Sequence, residues 1–185
     1  MRKRNLFKSR EKYGEKLFVR EKYKNQTEAK PGPHQVVLIL DNLKGNFNVG
    51  KIFRSAEVFG VQEIHLIDIP YFDPVPAKGT IRKVPATWND TFEVSYALLK
   101  AQGYQFYAFD AGASTYMHKT SFPKKSAFIM GHEGFGLSFQ LEDFPDIQKI
   151  KIQQFGKTES LNVSVAASLS VYEYVRQNYQ SDIIN

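Results

Sequence analysis

Cysteine is absent from this 185-residue chain, which excludes disulfides, thiolate zinc sites and a cysteine nucleophile together. Histidine is scarce: the four residues, His34, His65, His118 and His132, nowhere show H-x-x-x-H spacing, so no metal is expected. No apolar run approaches the ~18–20 residues that a bilayer span needs, so no membrane partner is expected. The first residues are charged and include no apolar stretch of signal-peptide type, which points to a cytoplasmic protein. Excess charge is missing from most of the chain as well. Residues 31–185 hold 14 Lys/Arg against 15 Asp/Glu, whereas residues 1–30 hold 11 against 4. The whole basic surplus therefore sits on the leading segment, as suits a polyanionic partner whose counterions are released on binding. Tyr13, Phe18 and Tyr23, interleaved with those charges, point the same way, toward RNA.

What is present describes a folded globule, 42% hydrophobic and 14% aromatic. The leading segment has few helix breakers, and a helix is predicted over 8–23. Pro31-Gly32-Pro33 then stops it, so the chain divides into a basic arm, 1–33, and a body, 34–185. In the body, 36–40 (VVLIL) reads as a strand buried on both faces. A Gly/Asn-rich loop over 42–48 leads into a helix over 49–59 that Gly60 ends. Further strands are predicted over 64–67, 104–109, 127–130 and 149–153, with helices over 92–101 and 161–179. The proline-rich stretch 70–90 reads as a long irregular loop. Alternating strands and helices predict an α/β fold with a mostly parallel sheet.

In such sheets ligands bind beyond the carboxyl ends of the strands, and three strand-end loops hold the chemical residues. The first runs from Asp41 to Ala56. Gly45 to Lys51 has the G-x-x-x-x-G-K spacing of a phosphate-binding loop, but the next residue is Ile52, which lacks the hydroxyl that would hold magnesium. A nucleotide-hydrolysing site is thereby rejected. Asn48 is instead expected near the helix N-cap, with Arg54 almost two turns further on. The second loop, Gly131-His132-Glu133-Gly134-Phe135-Gly136-Leu137-Ser138, combines glycines that permit close backbone approach with one carboxylate. In the third, Ser160 and Asn162 lie at a helix start, either as ordinary caps or as groups facing a polar ligand. Within that helix Val165, Leu169 and Tyr172 recur at i, i+4 and i+7 as a packing stripe, for the core or for a second subunit.

Taken in order, these loops resemble the three signature motifs of the SpoU (TrmH-type) RNA methyltransferases. Asn48-x-Gly50-x-x-x-Arg54-Ser55-Ala56, followed by Phe59-Gly60, resembles the first. Gly131-x-Glu133-Gly134-x-Gly136-Leu137-Ser138 resembles the second. Ser160-Leu161-Asn162-Val163-Ser164-Val165-Ala166, running on to Tyr172-Glu173 and Arg176-Gln177, resembles the third. The resemblance covers about residues 35–178. It implies a SPOUT-type fold whose C-terminal segment threads a trefoil knot, and a homodimer with a shared active site. It also implies methyl transfer from S-adenosylmethionine to a ribose 2′-hydroxyl of tRNA or rRNA. By position, Gly131, Ile152 and Leu161 are expected to line the cofactor through backbone groups, with Phe109 and Ser160 beside them. Asn48, Arg54, Glu133, Ser160 and Asn162 match the catalytic and RNA-positioning set, Arg54 acting either as base or as electrostatic stabiliser. Three departures stand out: His132 where Asn is usual, Gln153-Gln154 where Pro-Met is common, and Lys51 where a small residue is usual. The rival reading is a non-catalytic RNA-binding or assembly protein on the same scaffold.

Overall fold

The structure, a computed structural model, describes residues 2–45 and 47–179, with side chains from Tyr13 onward. Residues 1, 46 and 180–185, which the expected arm, first loop and body include, lie outside the described residues. In chain order the elements are α1 (Arg2–Glu28), β1 (His34–Asp41), α2 (Phe47–Val58), β2 (Val61–Ile67), β3 (Ala86–Asn89), α3 (Phe92–Ala101), β4 (Gln105–Phe109), β5 (Thr115–Tyr116), β6 (Ser126–Met130), β7 (Ile147–Lys151) and α4 (Val163–Asn178). The strands form one seven-stranded sheet in the order β3-β2-β1-β6-β4-β7-β5. Every pairing is parallel.

The alternation of side chains along a strand explains why β1 is apolar throughout. Val36, Leu38 and Leu40 feed a core on one face of the sheet, together with Ile52 and Phe53 of α2 and Ala167 and Val171 of α4. Val37 and Ile39 feed the other face, against Phe92 and Leu99 of α3. The sheet is thus covered on both sides.

The stretch 70–90, expected to be irregular, contains β3 at the sheet edge. Proline is tolerated where a strand begins at an edge, and Pro85, just before β3, contributes only its carbonyl, which accepts from the Ile64 N–H at 2.9 Å. The two-residue β5 is too short to leave a periodic signal. The strand predicted over 149–153 ends at Lys151, because Ile152 and the residues after it leave the ladder to line a pocket. The stripe Val165, Leu169 and Tyr172 is the exposed face of α4, while Val163, Ala167, Val171 and Tyr174 are buried.

The arm also differs from the expectation of a segment set apart. Gly14, Phe18, Glu21 and Asn25 fall at i, i+4, i+7 and i+11 and are buried against the body. Phe18 meets Tyr71 and Phe72 edge-to-face, each at 5.1 Å between centroids. It is therefore core, not an RNA-facing ring. The Asn25 amide donates to the carbonyls of Ile81 and Val84, and its oxygen accepts from the Ala86 N–H at 3.1 Å. Among the described residues no helix is long and apolar enough to cross a membrane.

Candidate active site

Three loops converge beyond the carboxyl ends of β4, β6 and β7, where the strand order departs from chain order and a parallel sheet opens a crevice. Their residues enclose a pocket of about 330 Å³. Phe109 and Asp110 follow β4, Gly131 to Glu133 follow β6, and Lys151, Ile152 and Gln154 follow β7. Ser160, Leu161, Asn162 and Val163 close it at the start of α4. Gly131 and Ile152 lie just past the last paired residues of their strands and line the pocket. A Cβ on Gly131 would come within 2.8 Å of the Gly136 backbone. Only glycine allows that fold of the loop.

A directed run of hydrogen bonds ties the loops after β6 and β7 to the loop after β1 and the start of α2. Asn162 caps α4, its side-chain oxygen accepting from the Ser164 N–H at 3.0 Å and from the Ser164 hydroxyl at 2.5 Å. That fixes its amide, whose Nδ2 donates to Asn48 Oδ1 at 3.1 Å. Asn48 in turn donates to Glu133 Oε1 at 2.7 Å, and the Lys44 N–H reaches Glu133 Oε2 at 3.4 Å. Partial burial pushes the Glu133 carboxyl up, yet hydrogen bonds from its own N–H, Asn48 and Lys44, with His132 nearby, outweigh it and hold the group below the usual carboxylate range. Glu133 is the terminal acceptor of the run and is ionised.

Sequence reasoning missed Asp41, which positions the second loop. Fully buried at the end of β1, its carboxylate accepts from both the Ser138 N–H and the Ser138 hydroxyl, each at 2.6 Å. Burial raises its pKa against those two bonds. Asp110 was missed too; its carboxylate accepts from the Gly112 N–H at 2.8 Å on the pocket wall. A polar residue at the carboxyl end of an apolar strand was the available signal for both.

Of the predicted site residues, Phe109, Gly131, Ile152, Ser160, Leu161, Asn162 and Glu133 line the pocket. Asn48 joins them through its hydrogen bonds from the first turn of α2, close to the helix start as expected. Arg54 does not line this pocket. It is exposed on α2 and makes no hydrogen bond or ion pair with a described residue. Gly50 and Ser55 serve packing. A Cβ on Gly50 would meet the Ala77 nitrogen at 3.0 Å, and the Ser55 hydroxyl lies 2.7 Å from that of Ser168, where α2 crosses α4. Among the described residues no three His, Asp or Glu side chains cluster as a metal site requires.

The fold and its three loops have counterparts among known proteins. The model of the SpoU rRNA methylase family matches residues 35–172. The chain belongs to the SpoU family. Among SpoU relatives, an uncharacterised tRNA/rRNA methyltransferase of Synechocystis sp. is 35% identical over 150 residues, 77% of this chain and 38% of the relative. The 23S rRNA (guanosine-2′-O-)-methyltransferase RlmB of Bordetella pertussis is 32% identical over 152 residues, 77% of this chain and 60% of that protein. The chain thus spans about two-fifths to three-fifths of their length. The crystal structure of the A. aeolicus TrmH/SpoU tRNA modifying enzyme superimposes with a TM-score of 0.72 at 23% identity, covering 86% of this chain and 83% of that one. A structure described as giving insights into 2-OH methylation of C/U34 on tRNA is 27% identical, with a TM-score of 0.65 over 80% of this chain and 98% of the other.

The SpoU pattern also explains His132. Its Nδ1 accepts from the N–H groups of Gly134 at 2.9 Å and Phe135 at 3.1 Å. An asparagine oxygen performs the same local capping, so the departure conserves the turn while adding a ring.

Proposed function

We propose that this SpoU protein methylates a ribose 2′-hydroxyl of tRNA or rRNA, with S-adenosylmethionine as methyl donor. The observation that carries the reading is the hydrogen-bonded run from Asn162 through Asn48 to Glu133, which joins all three loops at the edge of one pocket. The pocket suits the donor. Its volume, about 330 Å³, falls in the range of small-molecule sites. Met130, Ile152, Val163 and Ala166 offer apolar walls for a purine, while Asp110 and Ser160 offer polar groups for hydroxyl and charged ends. The donor, when bound, supplies an activated methyl group.

The chain's own residues then orient and stabilise. Asn48 and Asn162 have fixed amide directions, and ionised Glu133 anchors them. A guanidinium group is a poor proton acceptor. Arg54 is therefore assigned to orienting an RNA phosphate and stabilising the developing alkoxide, and not to acting as base, the hydroxyl proton passing to water. Because Arg54 does not line its own pocket, the reading includes a homodimer in which it serves the partner's pocket. The exposed apolar stripe Val165, Leu169 and Tyr172 on the adjoining helix supports that arrangement. A trefoil knot belongs to the same reading: β6 is inserted between β1 and β4, and α4 returns to pack on α2 and β1. We also divide the chain into a basic, RNA-contacting arm, residues 1–33, most of which is α1, and a methyltransferase domain, residues 34–185.

The test is incubation of the protein with radiolabelled S-adenosylmethionine and unmodified total RNA, followed by alkaline digestion. A label in alkali-resistant dinucleotides is expected, because a methylated 2′-oxygen cannot attack the adjoining phosphate. Label released wholly as modified mononucleotides would place the methyl on a base. Absence of cofactor heat in a calorimetric titration would leave a binding scaffold instead.

A further inference from the structure

Two phenylalanines stand almost wholly in solvent beside the pocket, Phe135 at 86% and Phe155 at 92% exposure. Each lies in a loop that lines it: Phe135 two residues after Glu133, Phe155 directly after Gln154. A scattered exposed apolar residue is ordinary, but Phe135 is held in place by specific interactions. Its N–H donates to His132 Nδ1 at 3.1 Å, and its ring stacks on the imidazole with 4.6 Å between centroids and 29° between planes. Two backbone hydrogen bonds between His132 and Gly136, at 2.8 and 3.0 Å, close the turn beneath it. The imidazole braces one face of the phenyl ring and the other is bare. Beside the site Lys44, whose N–H reaches Glu133, and Lys157, in the same loop as Phe155, are exposed cations without an ion-pair partner among the described residues.

We propose that Phe135, braced by His132, is a stacking platform for an unpaired RNA base next to the ribose presented to the pocket. This rests on the RNA methyltransferase reading and deepens it by naming the substrate class, loop or single-stranded RNA. In a duplex both faces of each base are covered by its neighbours, and only a splayed base offers a free π-face to an aromatic side chain. The surrounding cations suit the phosphates on either side of such a base, and the ring stands two residues from the Glu133 carboxylate that ends the hydrogen-bonded run.

The test uses the full chain and a single-stranded RNA of about 12 nucleotides carrying 2-aminopurine, within the ~4–16 nucleotides of known single-strand sites, beside the same strand annealed to its complement. The single strand is expected to bind about tenfold or more tighter than the duplex and to lose 2-aminopurine fluorescence on binding. Phe135→Ala is expected to weaken single-strand binding about 5- to 150-fold, the range set by loss of one stacked base. Duplex binding and calorimetric uptake of S-adenosylmethionine stay unchanged. Phe135→Trp retains tight binding, whereas Phe135→Leu, apolar but without a π-face, behaves like the alanine variant. Equal affinity for strand and duplex would overturn the proposal, as would wild-type binding by Phe135→Ala. So would a drop in sedimenting mass for that variant, which would make the ring part of an interface between copies. If the wild type takes up no S-adenosylmethionine, the enzymatic reading fails; if it does and Phe135→Ala binds RNA normally, only the stacking platform fails.

Discussion

At the scale of single residues, the site separates groups that are fixed from one that is free. Glu133, Asn48 and Asn162 hold one another, so each has a defined direction before any ligand arrives, and such preorganisation is where electrostatic catalysis gains most. Arg54 stands apart from the pocket wall. Arg54→Ala is accordingly expected to lower methyl transfer by about 10²–10³-fold, the scale of losing one transition-state donor, while leaving S-adenosylmethionine affinity unaltered by calorimetry. Retained turnover would remove the residue from the mechanism. Glu133 gives a pH signature. Its folded pKa is lowered, so its contribution to stability is complete above the ordinary carboxylate value of ~4.3 and is lost as pH falls through the lower folded value. The difference in melting temperature between wild type and Glu133→Gln is expected to be constant near neutrality and to shrink in acid. A difference that grows on acidification would contradict the lowered pKa.

At the scale of elements, α1 is both a core helix and a basic surface. Phe18 fills the space beside Tyr71 and Phe72, and Phe18→Ala should cost about 3–5 kcal/mol in urea unfolding, as for other buried phenylalanines. Asn25 satisfies three backbone groups of the 81–86 stretch. Its replacement by alanine should cost about 1–3 kcal/mol for the partners left unpaired. Deleting the helix would therefore strip the core and could not isolate its charges. The cleaner probe is the outward face, where Lys16 is exposed, whereas Arg20 pairs with buried Glu21 at 3.2 Å and is left in place. Lys16→Gln should reduce the slope of log affinity against log salt by about 0.7–0.9, the share of one phosphate no longer neutralised, with the melting temperature unchanged. An unaltered slope would make the face a solvated surface only.

At the scale of the whole molecule, the apolar face of α4 is the feature that a single copy leaves unfinished. Val165, Leu169 and Tyr172 are 40–55% exposed in one stripe, beside the α2 helix that carries Arg54. If the proposed homodimer forms through this stripe, Leu169→Glu halves the mass seen by sedimentation and abolishes methyl transfer, because the proposed shared site would be lost. A variant that remains dimeric would place the interface elsewhere, and an active monomer would show that Arg54 serves its own pocket.

Local chemistry alone pointed to the parallel α/β class, the long central helices and strands, and the three loops that meet through Asn48, Glu133 and Asn162. These rest on short-range rules: both-face burial makes β1 continuously apolar, glycine ends α2, and Asn162 caps α4. The edge strands β3 and β5 were invisible because ATWN has no apolar run and two residues carry no period, and only a neighbouring strand makes them strands. Tertiary structure also decided what no spacing could: that Asp41 buttresses Ser138 across 97 residues, that Asn48 lies between Glu133 and Asn162, and that Phe18 is core while Phe135 is solvent-facing. An isolated segment specifies its own backbone preferences, but whether a ring is buried or bare depends on what the rest of the chain brings against it.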